Sequence, residues 1–246
     1  MEIYPQHFPE LDSTNRLLKE LASCGAPEGT LVAADRQHAG RGRLGRSFFS
    51  PEGGLYFSLL LRPSALCFDT TLLTTAAAVA VAEAVDELMG DTASRIKWVN
   101  DIYRNGRKIC GILAEGVVRG SETAVVLGIG LNILTPAEGY PEDIALRAGA
   151  LYKTLPEGQI LPALREMLTD RILARLIPLC EALPDRTYLN VYREKMMLTG
   201  QTVRYEKDGV LHEGTVRSVA DDGSLLLTEN HETVRLAAGE VSLKQS

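Results

Sequence analysis

The sequence predicts an α+β fold, a mixed β-sheet with flanking helices over residues 1–197 followed by a small β-barrel over residues 198–246. Three observations predict it. Strand-like and helix-like segments mix without a strict βαβ alternation, and a long alanine-rich helical stretch (69–90) interrupts the strands. Past Leu198 the chain becomes short strands separated by Asp208-Gly209, Asp222-Gly223 and Asn230-His231 turns, which is the pattern of a small barrel.

The elements follow in order. A first strand covers Ile3 to Phe8, and DSTNRLLKELASCG then reads as a helix capped by Asp12 or Ser13. Leu17, Leu18 and Leu21 face inward on it, and Gly25 stops it. A second strand holds Thr30 to Ala34, and Leu55 to Arg62 is apolar on both faces, hence central. Asp69 caps the alanine-rich helix and Gly90 ends it. The segment 95–118 reads as strand, turn and hairpin, with Asn105-Gly106 as the tight turn, and Thr123 to Ile133 pairs next. From Ile160 to about Met197 the chain is helical, with interruptions expected at Pro178 and Pro184.

Composition removes several function classes. With 45% hydrophobic and 24% charged residues the chain is globular, and no apolar run is long enough to span a membrane as a helix. The start, MEIYPQHFPELD, has no basic, apolar signal pattern, so the expected location is the cytoplasm, away from the membrane. Cysteines at 24, 67, 110 and 180 are too scattered for a zinc site and are read as reduced thiols. Histidines at 7, 38, 212 and 231 are equally scattered, which disfavours metal centres and Ser-His hydrolases. A net charge of −6 argues against a chain whose main task is gripping nucleic acid, so no DNA partner is expected.

Within this acidic whole, residues 40–46 read GRGRLGR. The G-x-G-x-x-G spacing fits a dinucleotide turn only where a strand leads directly into it and a helix leaves it. Here the polar DRQHA separates the strand from Gly40, and RSFFSPEGG after Gly45 holds Pro51, Gly53 and Gly54, which excludes a helix. What remains is a long basic loop suited to a small anionic ligand. A second cluster lies on the hairpin, where KWVND (97–101) and RKICGILAE (107–115) bring Lys97, Asn100 and Asp101 near the strand carrying Lys108. Strict alternation puts Lys108, Cys110 and Ile112 on one face and Ile109, Gly111 and Leu113 on the other. A lysine entering so apolar a strand either snorkels to an edge or meets an anion.

Taken together, LDSTN (11–15), the Q-x-A-G-R-G-R-x-G-R run (37–46), KWVND with RKICGIL (107–113), and GIGLN (128–132) resemble the catalytic domain of biotin protein ligases, the biotin-[acetyl-CoA-carboxylase] ligases. The resemblance covers nearly the whole chain, including the family's small C-terminal β-barrel. It implies activation of biotin by ATP and Mg2+ to biotinyl-5′-AMP, then transfer to a lysine of a biotin carboxyl carrier domain of acetyl-CoA carboxylase or a related carboxylase. Catalysis then falls to Lys108, Arg41 and Arg43, the loop of Arg41, Gly42 and Arg43 closing over biotin and the phosphates. Ser13, Thr14, Asn15 and Gln37 resemble the groups that read the ureido ring, whose carbonyl and N–H groups suit hydroxyls and amides. Asn100 and Asn132, with Arg43, resemble the nucleotide contacts, and Asp101 is placed to orient Lys97 or the incoming carrier lysine. Some family members carry an N-terminal DNA-binding domain; here STN begins at residue 13, so the form without it is expected.

The sequence departs from the family pattern at Val99, usually proline, at Leu44, in a loop often richer in arginine, at Phe48, commonly tryptophan, and at Cys110, usually alanine. Two rivals stay open. A lipoate ligase or octanoyltransferase shares the fold, and Cys110 beside Lys108 would suit a thioester route. A non-catalytic biotin or nucleotide sensor would keep the pocket without the chemistry. The basic loop is expected to be mobile over residues 38–48 without ligand and to order over the adenylate, because its cations repel until a phosphate offsets them.

Overall fold

The computed structural model describes residues 1–62, 69–119 and 122–243. Cys67 lies outside them. The first sheet contains β1 (Tyr4–Leu11), β2 (Thr30–Gln37), β3 (Gly54–Leu61), β4 (Arg95–Lys97), β5 (Asp101–Arg104), β6 (Arg107–Arg119) and β7 (Glu122–Asn132). Their order is β1-β2-β3-β7-β6-β5-β4, with β1 parallel to β2 and the remaining pairs antiparallel. The sheet is therefore mixed, as predicted. Every residue of β3 is buried, which is what a strand apolar on both faces and covered on both requires.

One helix, α1 (Thr14–Ser23), crosses from β1 to β2 and packs on one face, burying Leu18 and Ala22 against Val32, Leu60 and Val126. Ser13 is its extended N-cap, accepting from the Arg16 backbone N–H at 3.5 Å, and the left-handed Gly25 follows its end. The opposite face is covered by α2 (Thr70–Met89). Asp69 caps α2 through Thr71 and Leu72 backbone N–H groups, and left-handed Gly90 ends it. Its alanines at 76–78, 80, 82 and 84 are fully buried, because α2 lies between the sheet and α4 (Leu161–Glu181), and small side chains let it approach both. A short α3 (Glu142–Ala145) precedes α4. Pro178 does not interrupt α4, contrary to expectation; a 3₁₀ turn at Leu183–Asp185 does, and α5 (Tyr188–Lys195) follows. The Ala182 backbone N–H still reaches the Pro178 carbonyl oxygen, so the break falls where Pro184 stands.

Past α5, β8 (Thr202–Lys207), β9 (Val210–Val219), β10 (Leu225–Glu229), β11 (Glu232–Leu236) and β12 (Val241–Leu243) form an antiparallel sheet ordered β11-β10-β9-β8-β12. Its edges, β11 and β12, are not paired with one another. Among the described residues the expected barrel is thus an open five-stranded sheet. Asp208-Gly209 and Asn230-His231 hold positive φ at both positions, as does Asn105-Gly106 in the first sheet, and each makes a two-residue hairpin turn. Val203, Tyr205, Val216 and Leu227 of this second sheet belong to the same apolar cluster as α2. The Trp98 indole N–H donates to the Gly223 carbonyl oxygen at 2.9 Å, which seats the second sheet beside the β4–β5 hairpin, and Arg193 Nε of α5 donates to Val219 O at 2.8 Å, which ties the same sheet to that helix. Among the described residues no helix is long and apolar enough to cross a membrane.

Candidate functional site

The cleft lies on the α1 face of the first sheet, where α1 stops covering the strands and the loop 38–53 takes over. Its floor is nearly bare. A Cβ on Gly130 would come within 2.6 Å of the Phe48 ring, one on Gly111 within 3.0 Å of it, and one on Gly128 within 2.0 Å of Asn15 Oδ1. Glycines here make space for ligand and for the loop residue Phe48, whose ring lies across the floor.

At one end, the start of α1 brings Ser13, Thr14 and Asn15 together with Gln37 from β2. Thr14 backbone N–H donates to Gln37 Oε1 at 2.8 Å, and Gln37 Nε2 donates to Ser50 Oγ at 3.0 Å, which fixes the glutamine amide. Asn15 Nδ2 donates to Glu115 Oε2 at 2.9 Å, while Asn15 Oδ1 lies 2.6 Å from Ser58 Oγ. The sequence reading missed Ser58 and Glu115. Ser58 has a visible signal, as the polar residue set between Phe57 and Leu59–Leu61 of an apolar strand, whereas Glu115 looks like any strand residue until the β6 register is known. Burial alone would raise the Glu115 pKa; donation from Asn15 and Lys19, with Arg41 nearby, outweighs it and holds the carboxyl below its usual range.

At the other end stands Lys108, its ammonium 2.6 Å from Asp101 Oδ1 and over the Phe48 ring, 5.9 Å from the centroid. Its neighbours correct the predicted alternation. The β5–β6 ladder shifts register between Ile102 and Tyr103, leaving Ile109 as an extra, bulged residue. Lys108 consequently shares its face with Gly111, whose Cβ position lies 3.5 Å from the lysine side chain. Cys110 points instead into the apolar core, fully buried, and burial pushes its thiol pKa up. The cysteine is therefore not beside the cleft.

The loop lies over the cleft. Arg41 stands 3.8 Å from Glu115 Oε1, and Gly42 backbone N–H donates to Arg46 O at 2.8 Å. Arg43 donates to Asn100 Oδ1 at 3.3 Å and to the Gly239 carbonyl oxygen at 3.0 Å, while Arg46 pairs with Glu240. Gly239 and Glu240 come from the turn before β12, so the C-terminal sheet contributes to the site wall, which the sequence reading did not foresee. Asn100 Nδ2 donates to Ile112 O at 3.0 Å, holding the hairpin to β6.

Two expected residues fall outside this cleft. Lys97 pairs with Asp101 in the β4–β5 register; burial lowers its ammonium pKa, with Asp101 opposing. Asn132 is buried at the end of β7 and donates to Gly149 O at 2.9 Å, beside the segment whose Arg147 carbonyl oxygen accepts from the Lys108 backbone N–H at 2.7 Å. The peptide bond joining Trp98 to Val99 is cis.

The comparisons decide the family. Residues 7–132 match the biotin/lipoate A/B protein ligase family, and residues 199–244 match the biotin protein ligase C terminal domain. The chain belongs to the biotin/lipoate A/B protein ligase family. Among its relatives in that family, the bifunctional ligase/repressor BirA of Bacillus subtilis is 32% identical over 98% of this chain and 75% of its own length. The biotin--[acetyl-CoA-carboxylase] ligase of Mycobacterium tuberculosis is 33% identical over 93% of this chain and 85% of its own. The structure of biotin protein ligase from Aquifex aeolicus in complex with biotin and ATP superposes with a TM-score of 0.81 at 29% identity, covering 98% of this chain and 99% of that one. Both matched regions are thus present in one chain.

Proposed function

We propose that this member of the family is a biotin-[acetyl-CoA-carboxylase] ligase of the cytoplasm. It activates biotin with ATP to biotinyl-5′-AMP and transfers the biotinyl group to a lysine of a biotin carboxyl carrier domain. The observation that carries the reading is the bipolar cleft: neutral hydroxyls and amides at the Ser13–Gln37 end, and the Lys108 ammonium at the other, under an arginine loop. A ureido ring needs paired donors and acceptors, and a carboxylate needs a cation, and biotin carries these at opposite ends.

In the first step the biotin carboxylate oxygen attacks the α-phosphorus of ATP, the bond to the bridging oxygen breaks, and pyrophosphate leaves. Two anions approach, so fixed cations have to offset their repulsion as the pentavalent centre forms. Lys108 is assigned to the junction of carboxylate and phosphate, where the substrate anions compete with Asp101 for its ammonium. Arg41 and Arg43 are assigned to the phosphates and Asn100 to the nucleotide, while Asn132, buried outside the cleft at the end of β7, is left with a structural part at Gly149. In the second step the neutral carrier amine attacks the acyl carbon, its proton is lost and AMP leaves; Asp101, released from Lys108, is assigned to orient the incoming amine and take up that proton. Mg2+ is assigned to the nucleotide phosphates, where it would offset part of their charge. The same reading divides the chain into a ligase unit, 1–197, and a smaller unit, 198–246, that braces its loop. Cys110 facing the core disfavours the acyltransferase alternative.

The test is pyrophosphate–ATP exchange with biotin, lipoate or octanoate as acid. Exchange with biotin alone supports the proposal. Exchange with lipoate or octanoate in preference to biotin overturns the substrate, and binding of biotin without exchange favours a sensor.

A further inference from the structure

We propose that Lys97 and Arg147, the cations beside Lys108 at the reactive end of the cleft, form the site that takes the β- and γ-phosphates of ATP and holds the pyrophosphate they become. The inference rests on the ligase reading of the cleft and deepens it.

The cleft has a direction. Along β6, Leu113 is the ladder partner of Gly128 at the amide end, Gly111 is that of Gly130 on the floor, and Lys108 comes next on the same face. An acid lying along this line with its carboxylate at Lys108 attacks the α-phosphorus from the ring side. In an in-line displacement the attacking and leaving oxygens stand on opposite sides of phosphorus, so the bridging oxygen departs away from the ring, past Lys108. It takes the bonding electron pair with it, and the pyrophosphate so formed carries more negative charge than the acyl-adenylate left behind. Cations beyond those assigned to the carboxylate and the α-phosphate are needed there.

Two cations converge on that end from the two flanks of β6. On one flank, residues 147–149 take the place of β7 beyond Asn132: the Lys108 backbone N–H donates to Arg147 O at 2.7 Å, and the Gly149 N–H donates to Lys108 O at 2.8 Å. Arg147 is exposed, and its guanidinium donates to the Asp143 carbonyl oxygen at 2.8 Å, which leaves further N–H groups for an anion. On the other flank, Lys97 is the ladder partner of Asp101, and Tyr103 that of Lys108. Lys108 and Arg46 have carboxylate partners, whereas among the described residues no carboxylate stands within 4 Å of the Lys97 ammonium or the Arg147 guanidinium. Burial lowers the Lys97 ammonium pKa; Asp101 and Glu240 oppose this, and the charges of Lys108 and Arg147 add to it. Burial and Asp101 raise the Tyr103 pKa, and Arg147 opposes that rise too. The Arg147 charge is thus felt across β6, so both unpaired cations act on one space beside Lys108. A half-buried ammonium between two other cations is held at a cost, which a polyanion arriving there removes.

Acidic groups of the carrier domain are the other anions that reach this end, and the two half-reactions separate them. On the full chain, biotin-dependent pyrophosphate–ATP exchange is measured over a range of pyrophosphate concentrations. Transfer from preformed, enzyme-bound biotinyl-AMP to a biotin carboxyl carrier domain is measured apart from it, in single turnover. Arg147→Ala and Lys97→Met are each expected to raise the KM for pyrophosphate on the order of tenfold with the KM for biotin unchanged, and Arg147→Lys is expected to restore part of the loss. Arg147→Ala is also expected to transfer from bound adenylate at the parental rate; Lys97 adjoins Asp101, so its variant is read in exchange alone. Arg147 is exposed, which keeps the test alive should Lys97→Met fold poorly. An unchanged KM for pyrophosphate in Arg147→Ala overturns the inference, and a raised KM for the carrier domain with exchange intact gives these cations to the carrier instead; either result leaves the ligase reading standing. A parent protein with no biotin-dependent exchange overturns the reading and the inference together.

Discussion

Arg43 donates a hydrogen bond to the carbonyl oxygen of Gly239, 3.0 Å away, across 196 positions of sequence. With the Arg46–Glu240 ion pair it fastens a loop of three glycines and three arginines to the C-terminal sheet. Such a loop loses much backbone entropy on ordering, and its cations repel one another, so two contacts of this kind leave it only weakly held in the free protein. Amide exchange over residues 38–48 is expected to slow when biotinyl-AMP is bound. Arg43→Ala and Glu240→Gln are expected to shorten the time for which the adenylate is retained. Equal protection with and without adenylate, and unchanged retention in both variants, would show that the loop is not a lid.

Lys108→Ala removes the one lysine that the β6 bulge turns into the cleft. Adenylate formation is expected to drop about 10²- to 10³-fold with the melting temperature held, since the ammonium is partly solvated and its loss leaves no cavity in the core. Single-turnover measurement of biotinyl-AMP checks this, and a variant with half the parental rate rejects the assignment.

Cys110→Ala is expected to keep transfer activity and to lose about 1 kcal/mol of stability, because the thiol packs in the core and touches no substrate. Burial holds the thiol pKa high, so native-state alkylation followed by mass spectrometry is expected to label exposed Cys24 and spare Cys110. A biotinyl or acyl thioester trapped on Cys110 would contradict this.

Gly128→Ala places a methyl 2.0 Å from Asn15 Oδ1 and is expected to weaken biotin on the order of tenfold or more while sparing ATP. Calorimetry with each ligand separates the effects; loss of ATP affinity alone would place the ring-reading end of the site elsewhere.

Local chemistry made much of this legible. Asp69, Gly90, Ser13 and the Asn105-Gly106 turn all act where their side chains or backbone preferences put them, because caps and tight turns depend on neighbours within a few residues. The apolar run of β3 announced its central place for the same reason. The face of Cys110 was not legible: period-two counting assumes an unbroken ladder, and the bulge at Ile109 is fixed by how β5 meets β6. Glu115 and Ser58 matter through partners on α1 some 100 and 43 positions away, and no spacing rule reaches so far. Pro178 misled because a proline near the end of a helix forfeits one N–H without ending it, once apolar packing holds Ile172, Leu173 and Leu176 in place.

The contact between Arg43 and Gly239 also fixes an order of events during synthesis. The residues that form the cleft floor and both its ends all precede Leu131, whereas the latch for its loop emerges roughly a hundred residues later. On the proposed reading, a nascent chain would assemble the surfaces assigned to biotin well before it could hold the acyl-adenylate under the loop. Premature activation on the ribosome would spill the mixed anhydride onto whatever amine stands nearby, and if the loop acts as a lid, retention has to wait until Gly239 has emerged.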